Sequence, residues 1–405
     1  MSHAVSLYFI VLIAVLSSIA HKGSKVLVSL SALDLGASGV TVGILAALYA
    51  VFPLFLAVYA GRVSDRMGVR APLLLGALGM TGGLLLPSFN SSMPMLFACP
   101  LLIGLGNIFL HVSVHNAVGS VGVTSSNSRS TRAANFAIFS LGASVAAFIG
   151  PSLTGVLIDS IGFRASYLTL AAFSGATVLL LLLFHTLLPT RVIHEGETAA
   201  ADRFDLWRDS GLRRTLITSG VAITGIELFS FYLPIYGKSI GLSASWIGLV
   251  LGSYAAAAFV VRVFMPKLTM RFTELGVLTG ALFAAAITYL AIPFITMPWL
   301  LVMIAFALGL GLGTAQPLTI MLTYHHAPPG RSGEALGMRL TVNKLTQIVV
   351  PLVFGGIGSA FGVAPVFWGN ALFLFIGALL SMRNHVQTPT VDDPLAKNAA
   401  YETPK

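Results

Sequence analysis

A basic cluster of His21, Lys22 and Lys25 lies in the middle of the first long apolar stretch, in the sequence "SSIAHKGSKVLVS". A charge at the centre of a bilayer costs ~3 kcal/mol or more, so such residues usually serve a function. At 100° per residue, the cluster shares one helix face with Ser18 and Ser29. This stripe predicts a face that lines a water-filled cavity and binds an anion or moves protons. An alternative is a shorter, shifted helix whose lysines snorkel to an interface.

Glu227 is the natural partner for this cluster, because it is the only acidic residue within the apolar segments of the second half. A 205-residue offset between repeated parts of the chain pairs it with Lys22. When ionised, Glu227 is expected to pair with Lys22 or Lys25, and its protonation would free a lysine to bind solute. The alternative is an ion pair that only holds helices in register.

Further candidates lie on later apolar segments. Asn107, His111 and His115 form one stripe of the fourth segment. Two histidines four residues apart are a weak metal signature without further ligands, so no metal is predicted. They are equally consistent with proton relay or with hydrogen-bonded helix packing. The remaining predicted solute-binding residues are Phe231, Gln316, Asn343 and Gln347.

The elements that must position these residues are membrane spans. The chain has 405 residues, of which 56% are hydrophobic and only 9% charged, so it is predicted to be an all-α membrane protein. A span needs about 20 apolar residues. Twelve are predicted, at residues 6–33, 40–60, 72–90, 94–118, 133–157, 164–188, 214–239, 244–264, 275–295, 299–324, 335–358 and 364–384. The net charge of +9 therefore does not indicate nucleic acid.

The chain divides into two six-helix bundles. We predict an N-terminal bundle at 1–188, a linker at 189–213, a C-terminal bundle at 214–384 and a tail at 385–405. Arginine and lysine concentrate in loops on one side, which predicts cytoplasmic termini, linker and tail in a plasma or bacterial inner membrane.

Sequence repetition supports the two bundles. "GPSLTGVLIDSIGF" in the first half aligns with "VPLVFGGIGSAFGV" in the second. The aligned pairs, 200 residues apart, are Pro151 with Pro351, Gly155 with Gly355, and Gly162 with Gly362. Two parallel six-span repeats predict a transporter that works by alternating access, with its site between the halves near mid-membrane.

The loop "GRVSDRMGVR" resembles the signature of the major facilitator superfamily between spans two and three. The matching residues are Gly61, Asp65, Arg66, Gly68 and Arg70. Val63 and Val69 depart from the pattern. The resemblance implies the superfamily fold, a monomer, and a role for these residues as a latch that joins the halves in the outward-facing state.

"GPSLTG" resembles an element associated with drug/proton antiporters. Gly150, Pro151 and Gly155 match, whereas Thr154 replaces a glycine. The resemblance favours export. The alternative is that these residues, like Pro351 and Gly355 in the second half, only bend the helix or pack it closely. The arginine motif that the family carries in span four is absent.

The sequence therefore predicts a secondary transporter of a small anionic or zwitterionic organic solute, coupled to protons, without a cofactor, and exporting. Two alternatives within transport are a multidrug/proton antiporter for amphiphilic cations and proton-coupled uptake of an organic acid. A membrane sensor or a histidine-based membrane enzyme is the alternative outside transport. No Walker loop or catalytic constellation is present in the sequence, so the protein is not expected to be an enzyme.

Overall fold

A computed structural model describes residues 3–122, 128–188, 209–328 and 331–385. Its first half contains α1 (His3–Asp34), α2 (Gly39–Met67), α3 (Arg70–Phe89) and α4 (Met93–Ser120). The helical run Ser128–Leu183 is interrupted at Gly162, so we divide it into α5 (128–161) and α6 (163–183).

The second half repeats this arrangement. It contains α7 (Ser210–Ser239), α8 (Ala244–Phe272), α9 (Glu274–Ala291), α10 (Pro298–Leu312), α11 (Ala315–His326), α12 (Ser332–Phe361) and α13 (Val363–His385). Short 3₁₀ helices follow α6 and α9, at His185–Leu187 and Ile292–Phe294.

The described residues contain 11 helical runs that are long and apolar enough to cross a membrane. One of them, 134–183, has 50 residues and so is long enough for two crossings, about 75 Å at 1.5 Å per residue. The α10 and α11 helices together form one run, Pro298–His326. The twelve predicted spans are therefore confirmed, and the fold is the all-α membrane fold that the sequence predicts.

The proposed division into bundles stays a prediction. Residues 189–208 of the linker and 386–405 of the tail lie outside the described residues. The α7 helix begins at Ser210, where Asp209 accepts a hydrogen bond from Leu212 N, so the last residues of the predicted linker are helical.

Glycines at matching turns show the internal repeat in the backbone. Gly162 has φ 78° between α5 and α6, and Gly362 has φ 83° between α12 and α13. Both values lie in the left-handed region, where glycine alone is unstrained. Because the two positions are 200 residues apart, the structure reproduces the repeat seen in the sequence.

The two halves meet closely at the end of the molecule where α2 and α8 begin, which we call the closed end. A Cβ at Gly43 of α2 would collide with the Pro351 carbonyl of α12, and one at Gly155 of α5 would collide with the Ala244 carbonyl of α8. The Val40 amide also donates to Ser359 Oγ at 3.2 Å. Small residues therefore let backbones from opposite halves touch at this end.

The same helix faces separate at the opposite end, which we call the open end. Five turns cover 18 residues, so Gly61 repeats the face of Gly43 and Gly337 repeats the face of Gly355. A Cβ at Gly61 or at Gly337 would meet nothing within 4 Å. On the α5–α8 pair, Ala137 lies five turns before Gly155 and is exposed. The halves therefore form a V that is closed at one end.

Candidate functional site

Helix α1 carries the basic cluster, and Gly23 fixes its position against α5. A Cβ at Gly23 would collide with Thr154 Oγ1 and would approach the Gly150 carbonyl. Thr154 is fully buried and donates to the Gly150 carbonyl at 2.7 Å. Thr154 stands where the antiporter-like element has a glycine, and Gly23 supplies the missing space from the other helix. This close approach leaves the helix face of His21 and Lys25, each two residues from Gly23, turned away from α5.

Tyr49 of α2 organises that face. Its hydroxyl donates to Ser24 Oγ at 3.0 Å, and Ser24 Oγ donates to the His21 carbonyl at 2.8 Å. The His21 ring meets the Tyr49 ring edge-on, with centroids 5.6 Å apart. The Lys25 ammonium lies 5.9 Å from the Tyr49 ring centroid, within cation–π range. Tyr49 thus holds the basic cluster on the α1–α2 side.

Lys25 forms an ion pair with Glu227 across the two halves, with 3.5 Å between Nζ and Oε2. The side chains are 28% and 17% exposed, so water reaches both. The repeat offset had paired Glu227 with Lys22, and this pairing is wrong in detail. Lys22 lies one turn before Lys25 and about 60° around the helix from it, next to Gly150 of α5, and its side chain is exposed. The repeat is approximate, so it locates the helix turn but not the exact residue.

The pair separates two adjoining cavities between the halves. The cavity on the closed-end side is lined by Lys25, Val28, Ser29, Ala46, Tyr49, Glu227, Ser230, Phe231 and Pro351. The cavity on the open-end side is lined by His21, Lys25, Ala46, Tyr49, Ala50, Pro53, Asn107, Glu227, Lys344 and Gln347. The structure therefore brings His21, Lys25, Asn107, Glu227, Phe231 and Gln347 together.

Cations outnumber acids in this space. Lys344 of α12 donates to Gln347 Oε1 at 3.0 Å. Lys22 and Lys344 both lie within electrostatic range of the Glu227 carboxylate. Among the residues that line the open-end cavity, Lys25 and Lys344 accompany the single carboxylate of Glu227, so the charge of the site is complementary to an anion.

The two histidines of α4 stack on each other beside this space. Their ring centroids are 4.2 Å apart, and His115 Nδ1 lies 2.8 Å from the His111 carbonyl. His115 also packs edge-on against Phe139 of α5, whereas His111 is exposed. Across the part of the chain that the structure describes, no group of three or more His, Cys, Asp or Glu residues could hold a metal ion.

Gln316 and Asn343 belong to a different cluster, inside the second half. Arg339 is only 2% exposed and donates to Gln316 Oε1 at 3.3 Å and to Thr319 Oγ1 at 2.9 Å. Asn343 Oδ1 accepts a hydrogen bond from Ser219 at 3.0 Å. These partners hold both side chains away from the cavity walls. Placing them in the solute site remains a prediction that the geometry does not favour.

The residues of the antiporter-like element lie at helix contacts. Gly150 faces α1, whereas Pro151 and Gly155 face α8, and Pro351 and Gly355 face α2. In this structure, these five positions therefore form closely packed helix contacts.

The predicted latch residues lie at the open end. Gly61 is in the last turns of α2, Gly68 follows this helix with φ 75°, and Arg70 begins α3. Arg66 is exposed. The side chain of Asp65 lies outside what the structure describes, so the latch stays a prediction.

Sequence reasoning missed Lys344 as a cavity residue, Arg262 as a charge within a span, and Asp159 as a contact between the halves. Arg262 was detectable, because it is flanked by apolar residues in "AAAAFVVRVFM", as Lys22 and Lys25 are in α1. Asp159 was not, because its partners are backbone amides of the other half. It accepts from Ala244 N at 3.1 Å and from Ser245 N at 2.7 Å.

Comparison with known proteins places these features in a family. The family model described as "Major Facilitator Superfamily" matches residues 8–351 and 216–403. The multidrug resistance protein MdtG of Enterobacter lignolyticus is 23% identical over 349 residues, which cover 84% of this chain and 82% of that protein. The class C tetracycline resistance protein of Escherichia coli is 25% identical over 349 residues, which cover 84% of each.

Solved structures share the fold at low sequence identity. A peptide transporter POT in complex with sulfate superposes with a TM-score of 0.78 at 15% identity, over 94% of both chains. A bacterial homologue of the human lysosomal transporter Spinster superposes with a TM-score of 0.76 at 15% identity, over 96% of this chain and 99% of that one.

Proposed function

Because this chain belongs to the Major Facilitator Superfamily and is a membrane transporter rather than an enzyme, we propose that it exports an organic anion or zwitterion in exchange for protons. The observation that carries the proposal is the Lys25–Glu227 ion pair between the halves, 3.5 Å long and reached by water. Alternating access needs a site that both halves share, and this pair provides one.

The chemistry follows from the charges around Glu227. While Glu227 is ionised, it holds Lys25 and partly neutralises the lysines. Exchange requires the proton and the solute to bind in turn. A zwitterionic solute meets this requirement, because its cationic group would take the place of the proton on Glu227 while its carboxylate binds Lys25. Protonation of Glu227 would then release the cationic group of the solute. The proton is therefore the coupling ion, and no other cofactor is needed.

The names of the relatives support export, since MdtG and the tetracycline protein are both described as resistance proteins. They also favour a second candidate, a multidrug/proton antiporter for amphiphilic cations with Glu227 as the cation contact. The three lysines around Glu227 oppose this candidate by like-charge repulsion.

Orientation completes the proposal. From the basic loops we infer that the termini lie in the cytoplasm of a bacterial cell, with the protein in the inner membrane. The open end of the V then faces the cytoplasm, so the described state is inward-facing. In this state, the solute would enter from the cytoplasm and meet the Lys25–Glu227 pair from the open end.

The test is solute-driven proton movement in proteoliposomes, with a panel of organic anions and amphiphilic cations. The wild type is compared with Glu227→Gln, with Lys25→Ala and with the matched control Glu334→Gln, whose carboxylate pairs with Arg331 at the start of α12. We expect anion-dependent proton flux in the wild type and the control, and its loss in Glu227→Gln. Flux driven only by cations would favour the second candidate. Normal anion-driven flux in Glu227→Gln would exclude Glu227 as the proton site.

A further inference from the structure

Arg262 of α8 is a cation that the ion pair does not explain. Its Nε donates to the Gly313 carbonyl at 3.1 Å, at the break between α10 and α11. Gly313 itself lies against the backbone of Ala258, one turn before Arg262, because a Cβ there would stand 2.5 Å from Ala258 Cα. A carbonyl at a helix C-terminus is a favourable partner for a cation. The guanidinium is therefore held in one place.

The other edge of the guanidinium is available. Within the described residues, the Arg262 Nη atoms have neither a hydrogen-bond partner nor an acidic neighbour within ion-pair distance. They are also not among the fully buried polar atoms that lack a partner. Both amino groups therefore reach accessible space. Arg262 as a whole is partly buried.

That space lies on the face of α8 that turns towards the other half. Arg262 follows Gly248 by 14 residues, about 40° around the helix, and a Cβ at Gly248 would collide with the Pro151 carbonyl of α5. Glu227 lies 12 residues before the end of α7, and Arg262 lies 18 residues after the start of α8. At 1.5 Å per residue these are about 18 Å and 27 Å from the closed end. Arg262 thus stands roughly 9 Å further towards the open end, where a solute would pass.

We propose that Arg262 is a substrate-binding residue that receives a carboxylate of the transported solute on its Nη1–Nη2 edge. The inference rests on the proposed transport of an organic anion. Two parallel N–H donors match the two oxygens of a carboxylate, which a lysine ammonium cannot do. Because Nε is already bound to Gly313, the Arg262 side chain loses little further conformational entropy when the solute binds. The solute class is then an organic carboxylate.

The first arm of the test measures accessibility in the wild-type protein, in detergent. The arginine reagent phenylglyoxal is added with sodium benzoate or with benzamide, a neutral compound of nearly the same shape, at constant ionic strength. Labelled sites are identified by mass spectrometry. Arg339 is the internal control, because it is 2% exposed and bonded to Gln316 and Thr319.

We expect phenylglyoxal to label Arg262 but not Arg339, and benzoate to slow the labelling of Arg262. At ten times its dissociation constant, a ligand leaves about one tenth of the sites free, so labelling should slow about tenfold. Benzamide should not protect. An unlabelled Arg262, no protection by benzoate, or equal protection by benzamide would overturn the proposal.

The second arm separates a binding role from a structural one. Arg262→Lys keeps the charge but loses the two-donor edge, and Arg262→Gln loses the charge. If Arg262 binds the carboxylate, both variants should weaken benzoate binding by about tenfold or more, while proton flux still depends on Glu227. If Arg262 only ties α8 to α10, both variants should lower thermal stability with unchanged benzoate affinity, which would overturn the proposal. Anion-driven proton flux that is the same in the wild type and in Glu227→Gln would instead refute the proposed function.

Discussion

At the closed end, Gly43 of α2 lies against the carbonyl of Pro351, whereas Gly61, five turns along the same face, has open space beside it. The α12 helix shows the same contrast between Gly355 and Gly337. One pair of helices therefore carries small residues on its facing surfaces at both ends, but uses them at only one end in this state. Facing small residues at both ends are what a protein needs if either end is to close in turn.

The first way to break this comparison is to add bulk at the closed end. Gly43→Leu should prevent the closed end from forming, because a Cβ already collides with the Pro351 carbonyl. Overpacking of this kind costs about 1–3 kcal/mol, which changes the population ratio by roughly 5- to 150-fold. Spin labels at Ser160→Cys and Ser239→Cys, with the buried Cys99 replaced, would report a longer distance between the halves.

Gly61→Leu is the matched control, since it adds the same side chain to the same face of α2. It should leave the closed-end distance unchanged, because open space surrounds Gly61 in this state. An equal lengthening in both variants would mean that the asymmetry between the ends does not set the conformation.

A second comparison concerns the loops of the open end. Gly68 after α2 has φ 75° and ψ 174°, and Thr273 after α8, 205 residues later, has φ 61° and ψ 160°. A β-branched residue in this region is strained by about 1–3 kcal/mol. Thr273 Oγ1 recovers part of that cost as a cap that accepts from Gly276 N at 3.2 Å.

Thr273→Gly should therefore raise the melting temperature in detergent, corresponding to a net gain of about 1 kcal/mol after the cap is lost. Gly68→Thr should lower it. If Thr273→Gly destabilises the protein as much as Thr273→Ala does, the cap outweighs the strain.

The third way to sharpen the contrast between the ends is to remove the carboxylate that crosses the closed end. Asp159 accepts two backbone hydrogen bonds from the first residues of α8. Losing such a cap costs about 1 kcal/mol, less any screening by solvent. In Asp159→Ala, the ratio of closed-end to separated populations in the spin-label distance distribution should therefore change by no more than about fivefold. Asp159→Asn retains one acceptor and should shift them less. Unchanged distances in Asp159→Ala would show that glycine packing alone closes this end.

The smallest effect is expected from the other ion pair at the closed end. Lys238 Nζ and Asp34 Oδ1 are 3.7 Å apart, and both side chains are about half exposed, at 50% and 52%. Exposed pairs contribute about 0–1 kcal/mol and are screened by salt. Asp34→Ala should change the same distances barely, and a change larger than that of Asp159→Ala would reverse the assigned order of these contacts.

Particular residues show what the sequence can predict. The twelve spans follow from apolar length, and the turn at Gly362 follows from its match with Gly162. The helix turns that carry Lys25 and Glu227 were also predictable, because charges within spans are costly. Lys22 and Lys25 were both predicted as partners of Glu227, and the structure pairs it with Lys25. The repeat offset alone pointed to Lys22, one helix turn away, because a repeat fixes relative position only approximately.

Asp159 and Tyr49 show what the sequence cannot predict. Asp159 bonds backbone amides, which have no sequence signature, and Tyr49 acts through a serine hydroxyl on a neighbouring helix. Gln316 was predicted to face the cavity, but its side chain is bonded to the buried Arg339. Which polar residue faces water and which satisfies a buried neighbour depends on helix rotation, and only the packed structure fixes that.

The most direct test of the account is a double-mutant cycle on the ion pair that joins the halves. Lys25→Ala, Glu227→Gln and the double variant are compared for thermal stability and for anion-driven proton flux in proteoliposomes. A pair that only holds the helices would be harmful when broken singly and harmless when removed whole, because no uncompensated charge remains. Our account predicts that the double variant regains stability but not proton flux. A double variant with normal anion-driven proton flux would contradict it.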